Sequence, residues 1–165
     1  MNKMFYILLC CMLLCGCTTS NQDGETISTV QTEHNFSTPS NNSMTSEFTT
    51  ITVYVPNEDL DGFDTVDITG DKLSVPEAMV QAGVLPENIV INSFSWSEDT
   101  LTVDFGSEFR NLINNQGTTG EYMIIGSIVN TLITLNEVKY VRITVDGDIL
   151  ESGHVIYDFP MEFYE

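Results

Sequence analysis

Apolar and polar residues alternate along four short stretches of the chain after residue 48. A period of two residues is typical of strands that have one buried and one wet face. The first stretch stops at Pro56, and the second and third flank the turn-like residues 97–99, which predicts a hairpin. The four predicted strands are Ile51–Val55, Ile89–Trp96, Thr100–Phe105 and Val138–Val145.

Three further stretches carry helix-start signals. Ser74–Glu77 reads as a capping box with proline in the first turn, which predicts a short helix that ends near Gly83. Thr118–Glu121 reads as a second capping box, and Ser107 is expected to cap a short helical turn. The second box precedes a long helix whose apolar residues recur at steps of three and four, so we expect one broad face to pack on a sheet. These residues are Ile125, Ile128, Val129, Leu132 and Leu135.

The order of these elements predicts a single small α+β domain over residues 49–165. The pattern β-α-β-β-α-β folds as an antiparallel or mixed sheet with two helices on one face. After residue 149 the strand signal is weaker and centres on His154–Tyr157. We expect this last segment to pack as well, because two helices on so small a sheet bury only a modest core.

The first 17 residues resemble a bacterial lipoprotein signal peptide. Lys3 supplies a positive start, and the apolar run Met4–Leu14 is too short for a spanning helix, which needs about 20 residues. Leu14–Cys17, with the sequence LCGC, resembles a lipobox. The resemblance implies that residues 1–16 are removed and that Cys17 receives a diacylglycerol. We therefore predict a lipid anchor in the cytoplasmic membrane, with the protein at its outer face, as in Gram-positive lipoproteins.

Residues 17–48 are predicted to be a disordered tether that begins at the lipidated Cys17. Of the 31 residues from 18 to 48, 17 are Ser, Thr or Asn, and none is Lys or Arg. Large apolar side chains are few and show no period. Such a composition buries too little surface to offset the entropy of ordering.

The acidic composition excludes several partners. The chain carries 24 acidic and five basic residues, a net charge of −19. This surface repels nucleic acid, whose binding requires clustered Lys and Arg, and it also repels anionic lipid head groups. All four cysteines lie at or before Cys17, so a disulfide framework within the domain is excluded.

One acidic turn resembles the first half of a calcium-binding loop. Asn57, Asp59 and Asp61 alternate and are followed by Gly62, but the twelfth position, which should be glutamate, is Ile68. The incomplete pattern makes these three residues weak candidates, and a solvated turn is the favoured interpretation. We expect no metal and no cofactor.

Catalytic groups are sparse in the predicted domain. His154 is its only histidine, and no Gly-x-Ser-x-Gly elbow precedes a helix. The carboxylate pairs Glu58–Asp59 and Glu98–Asp99 lie in turns, where acidic residues are common. We therefore predict a solvated histidine and a protein that is not an enzyme.

Three motifs in fixed order resemble the GerMN domain of sporulation and spore-germination proteins. They are TVDFGSEF at 102–109, IVNTL at 128–132 and VKYVRITVDG at 138–147, and the resemblance covers about residues 51–150. It implies a fold like the ring-building motifs of secretion systems and an interaction module rather than an enzyme. The chain has one copy of the domain, whereas the sporulation protein that names the family has two.

The motif residues are also explained by folding. Asp104 is expected on the wet face of its strand and Phe105 on the packed face, while Thr131 is expected to hydrogen-bond back to the preceding helical turn. The motif positions expected to be structural are Asp104, Phe105, Phe109, Thr131, Asp146 and Gly147.

Together these features predict a non-enzymatic envelope lipoprotein that presents a protein-interaction domain. Its partner would be an envelope protein or the cell wall, and the oligomeric state is open between a monomer and a homo-oligomer. The alternative is a lipoprotein that binds a small molecule or a cell-wall ligand in an apolar pocket.

Overall fold

The computed structural model of the protein describes residues 48–165. The signal-peptide, Cys17 and tether predictions lie outside these described residues, apart from Phe48, which begins the first strand. Within residues 48–165 no helix has both the length and the apolar composition that a membrane crossing requires. The described elements are β1 (Phe48–Pro56), β2 (Phe63–Asp71), α1 (Val75–Gln81), β3 (Ile91–Ser97), β4 (Thr100–Phe105), α2 (Ser107–Asn114), α3 (Thr118–Asn136), β5 (Tyr140–Val145) and β6 (Asp148–Ile149).

The predicted α+β class is confirmed, with a mixed sheet at its centre. The strand order in this sheet is β3-β4-β5-β6. β4 and β5 are parallel and the other neighbours are antiparallel, so α2 and α3 together form the crossover between the two parallel strands. On β4 and β5 every second residue is buried, as the two-residue period predicts.

A second sheet departs from the predicted element order. β1 pairs with β2 in a separate antiparallel hairpin, and the acidic stretch 57–62 is the loop between them. Strand β2 is absent from the elements predicted from the sequence, because it interleaves Asp64, Asp67 and Gly70 with few apolar residues and most of it is exposed. A strand stabilised by pairing with its neighbour carries little hydrophobic signal of its own.

Helix α3 is buried on more than the single face that its periodicity predicts. It contacts both β1 of the hairpin and β5 of the mixed sheet, so polar positions such as Ser127 and Asn130 are also buried. The predicted back-bond of Thr131 is wrong: its hydroxyl accepts a 2.9 Å hydrogen bond from the backbone N–H of Tyr54 on β1. A buried strand N–H needs an acceptor, and the helix supplies it.

The hairpin approaches α3 closely at one glycine. A Cβ added at Gly126 would lie 2.3 Å from the ring of Phe63, the first residue of β2. Glycine inside a helix costs roughly 1 kcal/mol relative to alanine. The missing side chain is what allows the Phe63 ring to lie against the helix backbone.

The predicted helix starts are partly confirmed. At α1 the capping box is present, because Ser74 Oγ accepts from Glu77 N and Glu77 Oε2 accepts from Ser74 N. At α2 and α3 the predicted caps at Ser107 and Thr118 are wrong, since Gly106 and Gly117 hold these positions without side-chain caps. Each of those two helices begins directly after a glycine in extended conformation.

The core contains a stacked aromatic pair between β4 and α2. The rings of Phe105 and Phe109 lie 4.0 Å apart between centroids and are nearly parallel, and both are fully buried. The predicted inward orientation of Phe105 is therefore confirmed. The turn at Asp146 and Gly147 is also confirmed, since both residues have positive φ, as a tight hairpin between β5 and β6 requires.

Candidate functional site

The acidic loop of the first hairpin is closed by its own side chains. Asn57 Nδ2 donates to Asp61 Oδ1 at 2.8 Å, and Asn57 Oδ1 accepts from the Asp61 backbone N–H at 3.1 Å. Oxygens of two of the three weak calcium candidates are therefore used to form the turn. Among residues 48–165 no three His, Cys, Asp or Glu side chains lie close enough together to share a metal ion.

The family-motif residue Asp104 joins three parts of the mixed sheet. Its Oδ1 accepts from Thr144 Oγ1 at 2.6 Å and from Gly147 N at 2.8 Å. Its Oδ2 accepts from Asn92 Nδ2 at 3.0 Å. Desolvation acts most strongly and raises the pKa of Asp104, but the three hydrogen bonds together hold that pKa below its usual value. Asp104 thus links β3, β4 and the β5–β6 turn.

The most buried carboxylate of the domain is Glu121, in the first turn of α3. Its side chain is 3% exposed. Oε1 accepts hydrogen bonds from Ser152 Oγ at 2.6 Å and from Tyr157 OH at 2.7 Å. Oε2 lies 2.9 Å from His154 Nδ1, and because a carboxylate only accepts, this nitrogen carries the proton.

The network explains two pKa shifts. Burial raises the pKa of Glu121 most strongly, but hydrogen bonds from Ser152, Tyr157 and His154 outweigh it, and the net pKa lies below its usual value. Burial, with the hydrogen bond to Glu121, raises the pKa of Tyr157. At neutral pH the site therefore holds a carboxylate and a neutral phenol.

His154 is not simply the solvated histidine that the sequence predicts. Its side chain is 42% exposed and is paired with Glu121. Ser152 Oγ donates to the Glu121 carboxylate and accepts from the backbone N–H groups of His154 and Val155. The cluster ties the C-terminal segment, residues 150–165, to the first turn of α3.

Other contacts fasten the same C-terminal segment. Asn130 of α3 exchanges two hydrogen bonds with the backbone of Tyr164, at 2.9 and 2.8 Å. Met161 exchanges two backbone hydrogen bonds with Val141 of β5. Glu121 and Asn130 are not among the residues that the sequence predicts to be buried partners. Glu121 belongs to the predicted capping box, and the only signal of Asn130 is a polar residue within an apolar stretch of α3.

A cavity of about 250 Å³ lies between α3 and the C-terminal segment. Glu121 and His154 form part of its wall, and four aromatic rings form much of the rest. The ring centroids of Tyr122 and Tyr164 are 5.1 Å apart in an edge-to-face arrangement. The four rings belong to Tyr122, Tyr157, Phe159 and Tyr164.

An open groove of about 410 Å³ continues from this cavity and shares three of its rings. Tyr122, Phe159 and Phe163 line it and are 41%, 45% and 46% exposed. We call this surface, together with Tyr164, the aromatic groove. Three large rings exposed around one hollow form an apolar patch of the kind that marks binding surfaces.

A third hollow has mixed charge. It is an open groove of about 750 Å³ beside Arg110, and Asp148 and Glu151 also line it. Because the two carboxylates offset the guanidinium, this groove has no net attraction for an anion. The aromatic groove is the more specific candidate site.

These features define the class of protein: a small α+β domain whose C-terminal segment is fastened by a buried carboxylate and borders an aromatic groove. The family model Germane, described as sporulation and spore germination, matches residues 36–151. The chain therefore belongs to the GerMN-domain family of sporulation and spore-germination proteins. Among curated protein sequences none matches.

Two of the solved structures that are similar to this chain belong to one sporulation protein. The tandem GerMN domains of GerM from Bacillus subtilis are 19% identical, with a TM-score of 0.47, and cover 77% of this chain and 49% of theirs. The first GerMN domain of GerM is 19% identical, with a TM-score of 0.39, and the match covers 61% of this chain and 84% of that domain's chain. A Clostridium perfringens protein named "putative lipoprotein" is 15% identical, with a TM-score of 0.44, and the match covers 70% of this chain and 87% of the other.

Proposed function

We propose that this protein is a non-enzymatic, lipid-anchored envelope lipoprotein that binds a protein partner through its GerMN-type domain during sporulation or spore germination. The observation that carries the proposal is the aromatic groove, in which Tyr122, Phe159 and Phe163 are each more than two-fifths exposed around one hollow. Aromatic residues are enriched in the cores of protein interfaces, where they bury a large area.

The rings of the groove are held in place before any partner binds. Phe163 packs edge-to-face on Tyr54 with 5.3 Å between centroids, and Tyr122 contacts both Tyr164 and Phe63. Rings that are already ordered lose less side-chain entropy on binding. This preorganisation supports a role in recognition.

A charge placed in the groove is expected to abolish partner capture. The bait is the full-length protein in detergent-solubilised envelopes, as wild type and as Phe163→Asp. Burying an unpaired carboxylate in an interface is costly, so Phe163→Asp should lose the partner. Phe48→Asp is the matched control, because Phe48 is 68% exposed and does not line the groove. Recovery of the same partner by Phe163→Asp would count against the proposal, as would the absence of any specific partner for the wild type.

The proposed anchor has its own test. Cys17→Ser removes the thiol that would carry the diacylglycerol, so the protein should be released into the medium or remain unprocessed. Cell fractionation and immunoblotting measure both outcomes. Cys15→Ala keeps a small residue before the cleavage point and should be processed like the wild type. Cys17→Ser protein that stays membrane-bound at the wild-type size would refute the anchor.

A second candidate function is binding of a small molecule or a cell-wall ligand. The observation in its favour is the 250 Å³ cavity beside Glu121. Pockets for drug-sized ligands usually measure about 300–1,000 Å³, so this cavity suits one small group rather than an extended ligand.

A further inference from the structure

We infer that the cavity between α3 and the C-terminal segment is a binding site for a small quaternary ammonium cation. The inference goes beyond the proposed partner-binding role, because the cavity adds the Glu121 carboxylate and the Tyr157 ring to the three rings that it shares with the groove. Its walls combine four aromatic rings with the buried carboxylate of Glu121. This combination of ring faces and a fixed anion attracts organic cations.

The rings supply the first part of the attraction. An aromatic face carries a negative quadrupole and attracts a cation within about 6 Å of the ring centroid. Tyr122 and Tyr164 are in edge-to-face contact, and Tyr157 and Phe159 are 6.3 Å apart between centroids. Burial raises the pKa of Tyr164 to about 12, so its phenol is neutral at physiological pH and contributes its ring rather than a charge.

The carboxylates supply the second part of the attraction for a cation. Glu121 is anionic at neutral pH and forms part of the cavity wall, on which His154 and three tyrosines are the other titratable groups. Glu162 and Glu165 line the adjoining groove. The whole chain carries a net charge of −19, so anions are repelled and cations are concentrated near the opening.

The size and polarity of the cavity determine which class of ammonium cation fits it best. At about 250 Å³ it holds one small group. Apart from the Glu121–His154 pair and Thr118, the lining is apolar or aromatic, so a strongly hydrated primary ammonium would lose water with little compensation. A quaternary ammonium is weakly hydrated and fits such a wall better.

The test is a calorimetric titration of the full-length protein in a maltoside detergent with choline chloride. The neutral isostere 3,3-dimethyl-1-butanol is titrated in parallel, since it has the same shape without the charge. We expect choline to bind about tenfold more tightly than the isostere. Equal affinities, or no saturable binding of choline up to about 100 mM, would overturn the inference.

Two variants locate the binding. Phe159→Ala and Phe159→Leu each remove one ring of the cavity, and Leu keeps most of the apolar volume, so both should weaken choline binding about tenfold. Phe48→Ala removes an exposed ring that does not line the cavity and should leave choline binding unchanged. Circular dichroism verifies that each variant is folded. Choline binding that is unchanged in both Phe159 variants would also overturn the inference.

A further titration separates the two sources of an ammonium group. Nα-acetyl-lysine amide, whose side-chain ammonium is free, represents the side chain of a protein partner, and choline represents a free small cation. Tighter binding of choline supports the inference, and tighter binding of the lysine amide overturns it. None of these titrations uses a partner protein, so their outcome is independent of the capture experiment with Phe163→Asp.

Discussion

Glu121→Ala is expected to lower the free energy of unfolding by about 2–5 kcal/mol, because two hydroxyl donors lose the acceptor that they share. The substitution leaves Ser152 Oγ and Tyr157 OH without their shared acceptor. Buried donors without partners cost about 1–3 kcal/mol each. Urea unfolding followed by circular dichroism measures the change.

Two variants make the Glu121 experiment specific. Glu121→Gln keeps a side-chain acceptor of the same shape and should cost less than Glu121→Ala. Glu151→Ala removes an exposed carboxylate from the same C-terminal segment and should leave the unfolding midpoint unchanged. In Glu121→Ala the segment 150–165 should also be cut faster by protease, because the network ties it to α3. A midpoint equal to that of the wild type would contradict the role assigned to Glu121.

Phe105→Ala should be similarly severe, at about 3–5 kcal/mol of unfolding free energy. Its ring is fully buried and stacks on Phe109, so its removal leaves a cavity lined by α2 and the mixed sheet. A small domain has only about 5–15 kcal/mol of net stability. The variant should therefore unfold at a much lower urea concentration, or be largely unfolded at 37 °C.

A double-mutant cycle isolates the contribution of the stacked pair. Phe105→Ala and Phe109→Ala remove the same contact, so their combined effect should be smaller than the sum of the single effects. Trp96→Ala, at an exposed ring on β3, serves as the surface control and should shift the midpoint little. Strict additivity of the two phenylalanine variants would show that the stacking contact contributes nothing of its own.

The family-motif residues divide clearly by role. Phe105 and Phe109 fill the core, and Asp104 joins three strands and a turn through hydrogen bonds. Thr131 supplies an acceptor for the first hairpin. The described contacts account for these positions through folding. The aromatic groove and the cavity instead involve residues outside the three motifs, chiefly in the segment after residue 150.

What could be predicted from the sequence depended on local chemistry. The Ser74 capping box, the positive-φ turn at Asp146 and Gly147 and the inward orientation of Phe105 follow from neighbours within a few residues. The alternation on β4 and β5 and the α+β class follow from the same short-range periods. The prediction of a lipid anchor at Cys17 also rests on adjacent residues.

Only the tertiary structure decided which distant segments meet. β2 is a strand because it pairs with β1, and α3 is buried on several sides because it contacts both β1 and β5. The sequence predicts Glu121 as a capping residue. In the structure its carboxylate is buried because it accepts hydrogen bonds from Ser152 and Tyr157, which are 31 and 36 positions away. Long-range pairing of this kind produces no periodic pattern in the sequence. A polar residue considered alone is expected on the solvated surface, and its burial becomes favourable only when a distant partner is present. The cavity and the aromatic groove exist only because that pairing fixes the C-terminal segment on α3.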